Sequence, residues 1–118
     1  MKVYRVETVW GEGPYTGPVS HYEWTTDSRH QSEYSHPNIR NDGIQLDYRY
    51  SKDYYCGFSS IKKMKAWFNK KEMTLLYSLG FKISMYNVSK QDIIEGWSKK
   101  QLMFNKKKAV HVKDYIWE

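Results

Sequence analysis

One thiol and four imidazoles make up the nucleophile and base inventory of this 118-residue chain: Cys56, with His21, His30, His36 and His111. A Cys/His pair does nucleophilic chemistry only when the two side chains meet in space, and no spacing here pairs them. Cys56 ends the aromatic run Tyr54-Tyr55-Cys56, where a small buried thiol is the ordinary outcome. Three of the histidines lie in a polar stretch near Asp27 and Asp42, nine and six residues apart. Metal sites on a helix use two ligands one turn apart, and zinc sites built on sulfur need a second cysteine. Neither pattern is present, so these are read as exposed loop histidines and no metal is expected. Gly11-Glu12-Gly13-Pro14 lacks the lysine and the following helix of a phosphate cradle. Glu12, Glu23, Asp42, Asp47 and Glu95 are scattered, and nothing pairs two of them as a glycosidase requires.

Charge is the stronger signal. Residues 1–56 carry 6 Lys/Arg against 8 Asp/Glu, a net of −2. Residues 57–118 carry 13 lysines, no arginine and 5 acids, a net of +8. A half so basic points to a polyanionic partner or to a solvated lysine surface. Lysine without arginine argues against reading base sequence, which favours bidentate guanidinium contacts. Aromatics make up 17% of the chain, enough for Tyr and Trp to supply the core area that only 23 Ile, Leu, Val and Phe leave short. The length suits one domain, 1–118. No apolar run reaches the roughly 18 residues of a membrane span, and the N-terminus has no signal-peptide pattern. A lone cysteine forms no internal disulfide, so a reducing cytoplasm suits the chain best.

The elements that must position these groups fall into two textures. Residues 2–10 are β-branched and aromatic and read as a strand, stopped by Gly11-Glu12-Gly13-Pro14. Residues 19–43 are polar, with turn signals at His36-Pro37 and Asn41-Asp42-Gly43. Tyr54 to Phe58 reads as a short strand, and Ser59 or Ser60 as the cap of a helix bearing Ile61, Met64, Trp67 and Phe68 on one face. A second helix from about residue 70 carries Met73, Leu76 and Leu79 and ends at Gly80. Phe81 to Val88 reads as a strand, residues 89–100 as a polar connection, and Gln101 to Phe104 as a strand. Residues 109–116 suit either a strand or a helical turn. Helices mixed with segregated strands give an α+β domain.

Four landmarks in order carry a resemblance: Tyr4-Arg5 on the first strand, Gly13-Pro14-Tyr15 in the turn, Ser59-Ser60 after the middle strand, and Gln101 at a later strand. This layout resembles small ADP-ribosyltransferase-like domains of the RES type and their minimal phage-encoded members. The series Tyr-Arg-Val-Glu, Gly-Pro-Tyr, Cys-Gly-Phe-x-Ser and Trp-Phe is also similar to that of small phage proteins. The resemblance implies a single domain with a mixed or antiparallel split sheet and two to three helices. It implies NAD+ as cofactor, with Arg5, Tyr15 and Ser59 holding it in one concave site. Gln101 then stands where the family places its catalytic acid, with Glu95 six residues earlier as a substitute. Gln is neutral and does not stabilise a developing cation as a carboxylate does. A retained fold without turnover follows naturally, with no cofactor bound.

Aromatic residues interleaved with lysines give the remaining pattern. Trp67 and Phe68 sit among Lys62, Lys63, Lys65, Lys70 and Lys71; Trp97 sits beside Lys99 and Lys100; and Lys106, Lys107 and Lys108 form the densest run. Single-stranded nucleic-acid binders combine stacking platforms with lysines in this way. Trp67 and Phe68 share a helix face with Ile61 and Met64, which predicts core. Trp97 and Trp24, in polar segments, are the surface candidates. The reading is a phage-type cytoplasmic binding or inhibitor protein, a counter-defence factor, acting on a host protein or nucleoprotein through its basic, aromatic-bearing half. An active mono-ADP-ribosyltransferase is the alternative, and a single-stranded nucleic-acid binder the third.

Overall fold

The computed structural model describes residues 1–15, 28–46 and 51–117. Trp24 and His21 lie outside the described residues. Among the described residues six strands form two antiparallel three-stranded sheets, and two α-helices lie between the second and third strands in the chain. Strand β1, Lys2–Thr8, lies at one edge of the first sheet against β3, Phe81–Asn87, and β6, Val110–Tyr115, lies at the other edge. Strand β5, Leu102–Asn105, is the middle of the second sheet, between β2, Tyr54–Gly57, and β4, Ile93–Glu95. Paired backbone bonds between Tyr4 and Phe58, both 2.8 Å, tie the end of β2 to β1 and bring the two sheets together.

Local chemistry accounts for the helices. In α1, Ile61–Trp67, the Ser60 hydroxyl accepts from the Lys63 N–H and takes the cap that Ser59 or Ser60 offers. In α2, Lys70–Ser78, Asn69 and Glu72 make a reciprocal capping box, and Gly80 adopts a positive φ past the C-terminus. Met64, Trp67, Phe68, Met73 and Leu76 join Val6, Phe58, Phe81 and Ile83 in one core, with Ile61 partly buried against it. Leu79, expected on the apolar stripe of α2, is exposed instead, because it lies at the C-cap where the chain leaves the helix. A second cluster, Val3, Tyr86, Val88, Leu102 and Phe104, fills the space between the sheets.

One more expectation needs correction, and one open choice is settled. The connection 89–100 contains β4, three residues whose pairing with Phe104, Met103 and Leu102 is non-local and leaves too short a pattern to read. Residues 110–115 form an edge strand rather than a helical turn, because β3 offers them its free side. Among the described residues no helix is long and apolar enough to cross a membrane.

Candidate functional site

An open cleft of about 760 Å³ lies where the turn after β1, the 33–39 segment, β2 and the end of α1 converge. Aromatic rings form much of its wall, including Trp10, Tyr15, Tyr55, Phe58 and Trp67. Arg5, Tyr15 and Gln101 line it together; Ser59 is not among the described lining residues, although it follows the Phe58 bridge to β1. Glu95 is exposed on β4, away from the lining.

Arg5 is buried and fully engaged. Its Nε donates to Glu7 Oε1 at 2.9 Å, and its two terminal nitrogens donate to the carbonyls of Cys56 and Gly11 at 2.9 and 3.0 Å. Glu7 also receives the Lys106 ammonium at 2.8 Å and the Tyr86 hydroxyl. Burial pushes the Glu7 carboxyl upward, but the bonds from Lys106 and Tyr86 outweigh it and hold the group below its ordinary value. The same arrangement, through burial first and the hydrogen bond to Glu7 second, drives the Tyr86 phenol up. Lys106 is therefore a half-buried counter-ion packed near the Tyr55 ring, not an exposed member of the lysine run. Lys107 and Lys108 are exposed.

The helical side of the cleft rests on a directional chain of hydrogen bonds. Trp67 Nε1 donates to the Tyr15 hydroxyl at 2.9 Å, Tyr15 meets His30 Nδ1 at 2.7 Å, and His30 Nε2 meets Glu72 Oε2 at 2.6 Å. Arg29 reaches the other Glu72 oxygen at 2.7 Å. His36 Nε2 donates to the Trp67 carbonyl at 2.6 Å, and its ring centre lies 4.1 Å from that of His30. Burial lowers the His36 pKa to about 4 despite the Trp67 bond, with the charges of His30 and Arg29 adding to the fall. Both histidines are buried, which corrects the expectation of exposed loop imidazoles. The polar sequence around them gave no sign that α2 would supply a buried carboxylate 42 residues away. Cys56 departs in the other direction: it is exposed on the outer strand β2.

A second region stands on the far side of Gln101. The Asp42 carboxylate accepts from the Ser98 N–H at 2.7 Å and the Ser98 hydroxyl at 2.9 Å, and the Asp42 carbonyl accepts from the Trp97 N–H at 2.8 Å. A Cβ at Gly96 would overlap the Asp42 carboxylate, and a Cβ at Gly43 would overlap the Trp97 ring. The ring is thus seated against a glycine, yet Trp97 is 79% exposed. Lys99 follows at φ 62°, a left-handed conformation in which glycine is the easy choice. Lys100 bonds the Tyr34 carbonyl and lies 4.9 Å from the centre of the exposed Tyr34 ring. Sequence reasoning found Trp97, Lys99 and Lys100 but missed Asp42, Gly43 and Tyr34, whose roles depend on contact across more than 50 residues. Lys62, Lys70 and Lys71 are exposed and Lys63 half-buried, on α1 and α2 rather than on this loop.

Fold and site together define a small α+β protein with an aromatic cleft and a separate basic, aromatic loop. A family model described as Bacteriophage T4 Y00F protein matches residues 1–118, and the chain belongs to that phage family. Neither the curated proteins nor the solved structures give a match. The comparisons show no ADP-ribosyltransferase-like family, so that resemblance stays at the level of the landmarks that suggested it.

Proposed function

We propose that this phage protein is a binding protein, an inhibitor or counter-defence factor, that acts in the host cytoplasm on a nucleoprotein and contacts its single-stranded nucleic acid. The observation that carries this reading is the Trp97 platform. An indole 79% exposed is nonetheless seated against Gly43, while the Asp42 carbonyl holds the Trp97 backbone N–H, with Lys99 and Lys100 beside it. A pre-set ring spares the ordering cost of binding, every base offers a face to stack on, and lysines neutralise phosphates without reading sequence. In an anisotropy titration, a labelled single-stranded oligonucleotide should bind more weakly at 200 mM than at 50 mM salt. Trp97→Ala should weaken it by about tenfold, as loss of one stacked base does. Absence of any salt-sensitive binding to single-stranded DNA or RNA sinks the reading, and leaves a host protein as the target of a pull-down.

One observation favours a second reading, a mono-ADP-ribosyltransferase that uses NAD+: Arg5, Tyr15 and Gln101 line one cleft. Against it, all three Arg5 nitrogens already have partners, and Gln101 brings no carboxylate. Release of nicotinamide from NAD+ that disappears in Gln101→Ala supports the transferase; we expect none.

A further inference from the structure

The Trp97 loop does not stand alone. Its Lys100 side chain reaches the turn around Tyr34, where the ammonium donates to the Tyr34 carbonyl and sits 4.9 Å from the centre of the Tyr34 ring. Tyr34 is 89% exposed, more than any other aromatic side chain among the described residues. The backbone beneath it is nonetheless ordered. The Tyr34 N–H donates to the Ser32 hydroxyl at 3.2 Å, and the His36 N–H donates to the Ser32 carbonyl at 2.8 Å. The His36 ring that follows is buried and bonded to the Trp67 carbonyl, which anchors the turn to the end of α1. The neighbouring Glu33 carboxylate is engaged by the Asn38 N–H at 2.8 Å. Tyr34 thus repeats the condition of Trp97: a large ring left in solvent on a backbone that tertiary contacts hold still.

Lys100 joins the two rings without being consumed by either. An ammonium carries three donors; the Tyr34 carbonyl takes one, which leaves two donors and the full charge for an anion. A cation over one face of a tyrosine leaves the opposite face open for stacking. Lys99, exposed next to it in the chain, adds a second positive charge. Ring, ammonium and ring match the base, phosphate and base of a single strand, the combination that strand binders without sequence preference use. We propose that a single strand held on Trp97 continues over the Lys100 ammonium to Tyr34, which stacks a second base while Lys100 takes the phosphate between the two. The proposal rests on the reading of Trp97 as a stacking platform and extends it: the site takes at least two nucleotides, and Tyr34, from the acidic half of the chain, is one of its binding residues.

Anisotropy titrations of a labelled oligothymidylate, run over a range of salt concentrations, provide the test. Tyr34→Ala should weaken binding by about tenfold, as loss of a stacked base does, and leave the slope of log affinity against log salt where it was. Tyr34→Phe keeps the ring and should bind as the unaltered chain does. Lys100→Met should reduce the slope by about 0.7, the share of one phosphate on a single strand. Tyr34 is exposed, so its variants should keep the thermal midpoint of the unaltered chain, and a loss of affinity then reports the ring rather than the fold. Full affinity in Tyr34→Ala beside a weakened Trp97→Ala would overturn the path to Tyr34 and leave the Trp97 platform standing. Tyr34→Phe as weak as Tyr34→Ala would overturn it too, because the ring would not be what binds. An unchanged slope in Lys100→Met would take the phosphate away from Lys100 and the proposal with it. No binding of the oligonucleotide by the unaltered chain would sink this proposal and the Trp97 reading together.

Discussion

Trp67 and Trp97 make an instructive pair. Each is an indole beside lysines: Trp67 follows Lys62, Lys63 and Lys65, and Trp97 precedes Lys99 and Lys100. Trp67 is buried against Phe58, His36 and the Tyr15 hydroxyl, whereas Trp97 faces solvent. The difference lies in what opposes each ring. Helical spacing turns Trp67 with Met64 towards β1 and β3, where Val6, Phe81 and Ile83 complete a core. Trp97 leaves the end of β4 on a turn, and the surface brought against it is the glycine at 43, whose neighbour Asp42 ties the loop down through Ser98. Composition makes the two segments look alike; only the surface that meets them separates a core residue from a platform.

The sharpest way to break this comparison is to remove each ring. Trp67→Ala should cost about 3–5 kcal/mol in chemical denaturation, as large-to-small core changes do. An unchanged midpoint would show that Trp67 is no more buried in effect than Trp97.

The next largest effect concerns pH on the Trp67 side. His36 binds its proton more weakly folded than unfolded, its pKa falling from 6.5 to about 4. Its contribution is therefore fully present above about 6.5 and drains away as pH falls from there towards 4, a loss on the order of 3 kcal/mol at most. Glu7 works in the same sense lower down, since its depressed pKa withdraws stability as its carboxylate becomes protonated. Unfolding free energies at pH 7 and 4.5 should differ accordingly, and His36→Gln should flatten the slope between them. An identical slope in the variant would assign the acid sensitivity elsewhere.

The lysine run sharpens the contrast between interior and surface charge. Lys106→Glu sets a carboxylate against Glu7 and should cost about 2 kcal/mol, below the usual figure for a fully buried pair because Lys106 keeps some solvent contact. Lys107→Glu should stay within about 0.5 kcal/mol, as exposed substitutions do. Equal thermal midpoints for the two variants would contradict the counter-ion role of Lys106.

The smallest stability effect belongs to Trp97. Trp97→Ala should alter folding by less than about 0.5 kcal/mol while lowering oligonucleotide affinity. Gly43→Ala should lower affinity too, because its methyl would unseat the ring while leaving its chemistry intact. Full affinity in Gly43→Ala would mean that the seat is irrelevant to binding.

Much of the architecture could be read from the chain. The cap at Ser60, the apolar face of α1 and most of that of α2, the glycine at 80 and the strands at β1, β2, β3 and β5 arise from interactions within a few residues, so their signals are local. The basic second half and the surface position of Trp97 were legible for the same reason. Tertiary structure decided the rest. It buried His30 and His36 by setting Glu72 and the Trp67 carbonyl beside them, and exposed Cys56 on an outer strand. It drew Lys106 inward to Glu7 across 99 residues and closed Asp42 on the Trp97 loop across 56. Each of these fates depends on a partner distant in sequence. A titratable or aromatic side chain takes its role from the charge, donor or surface that finally meets it, and residue order alone does not specify that meeting.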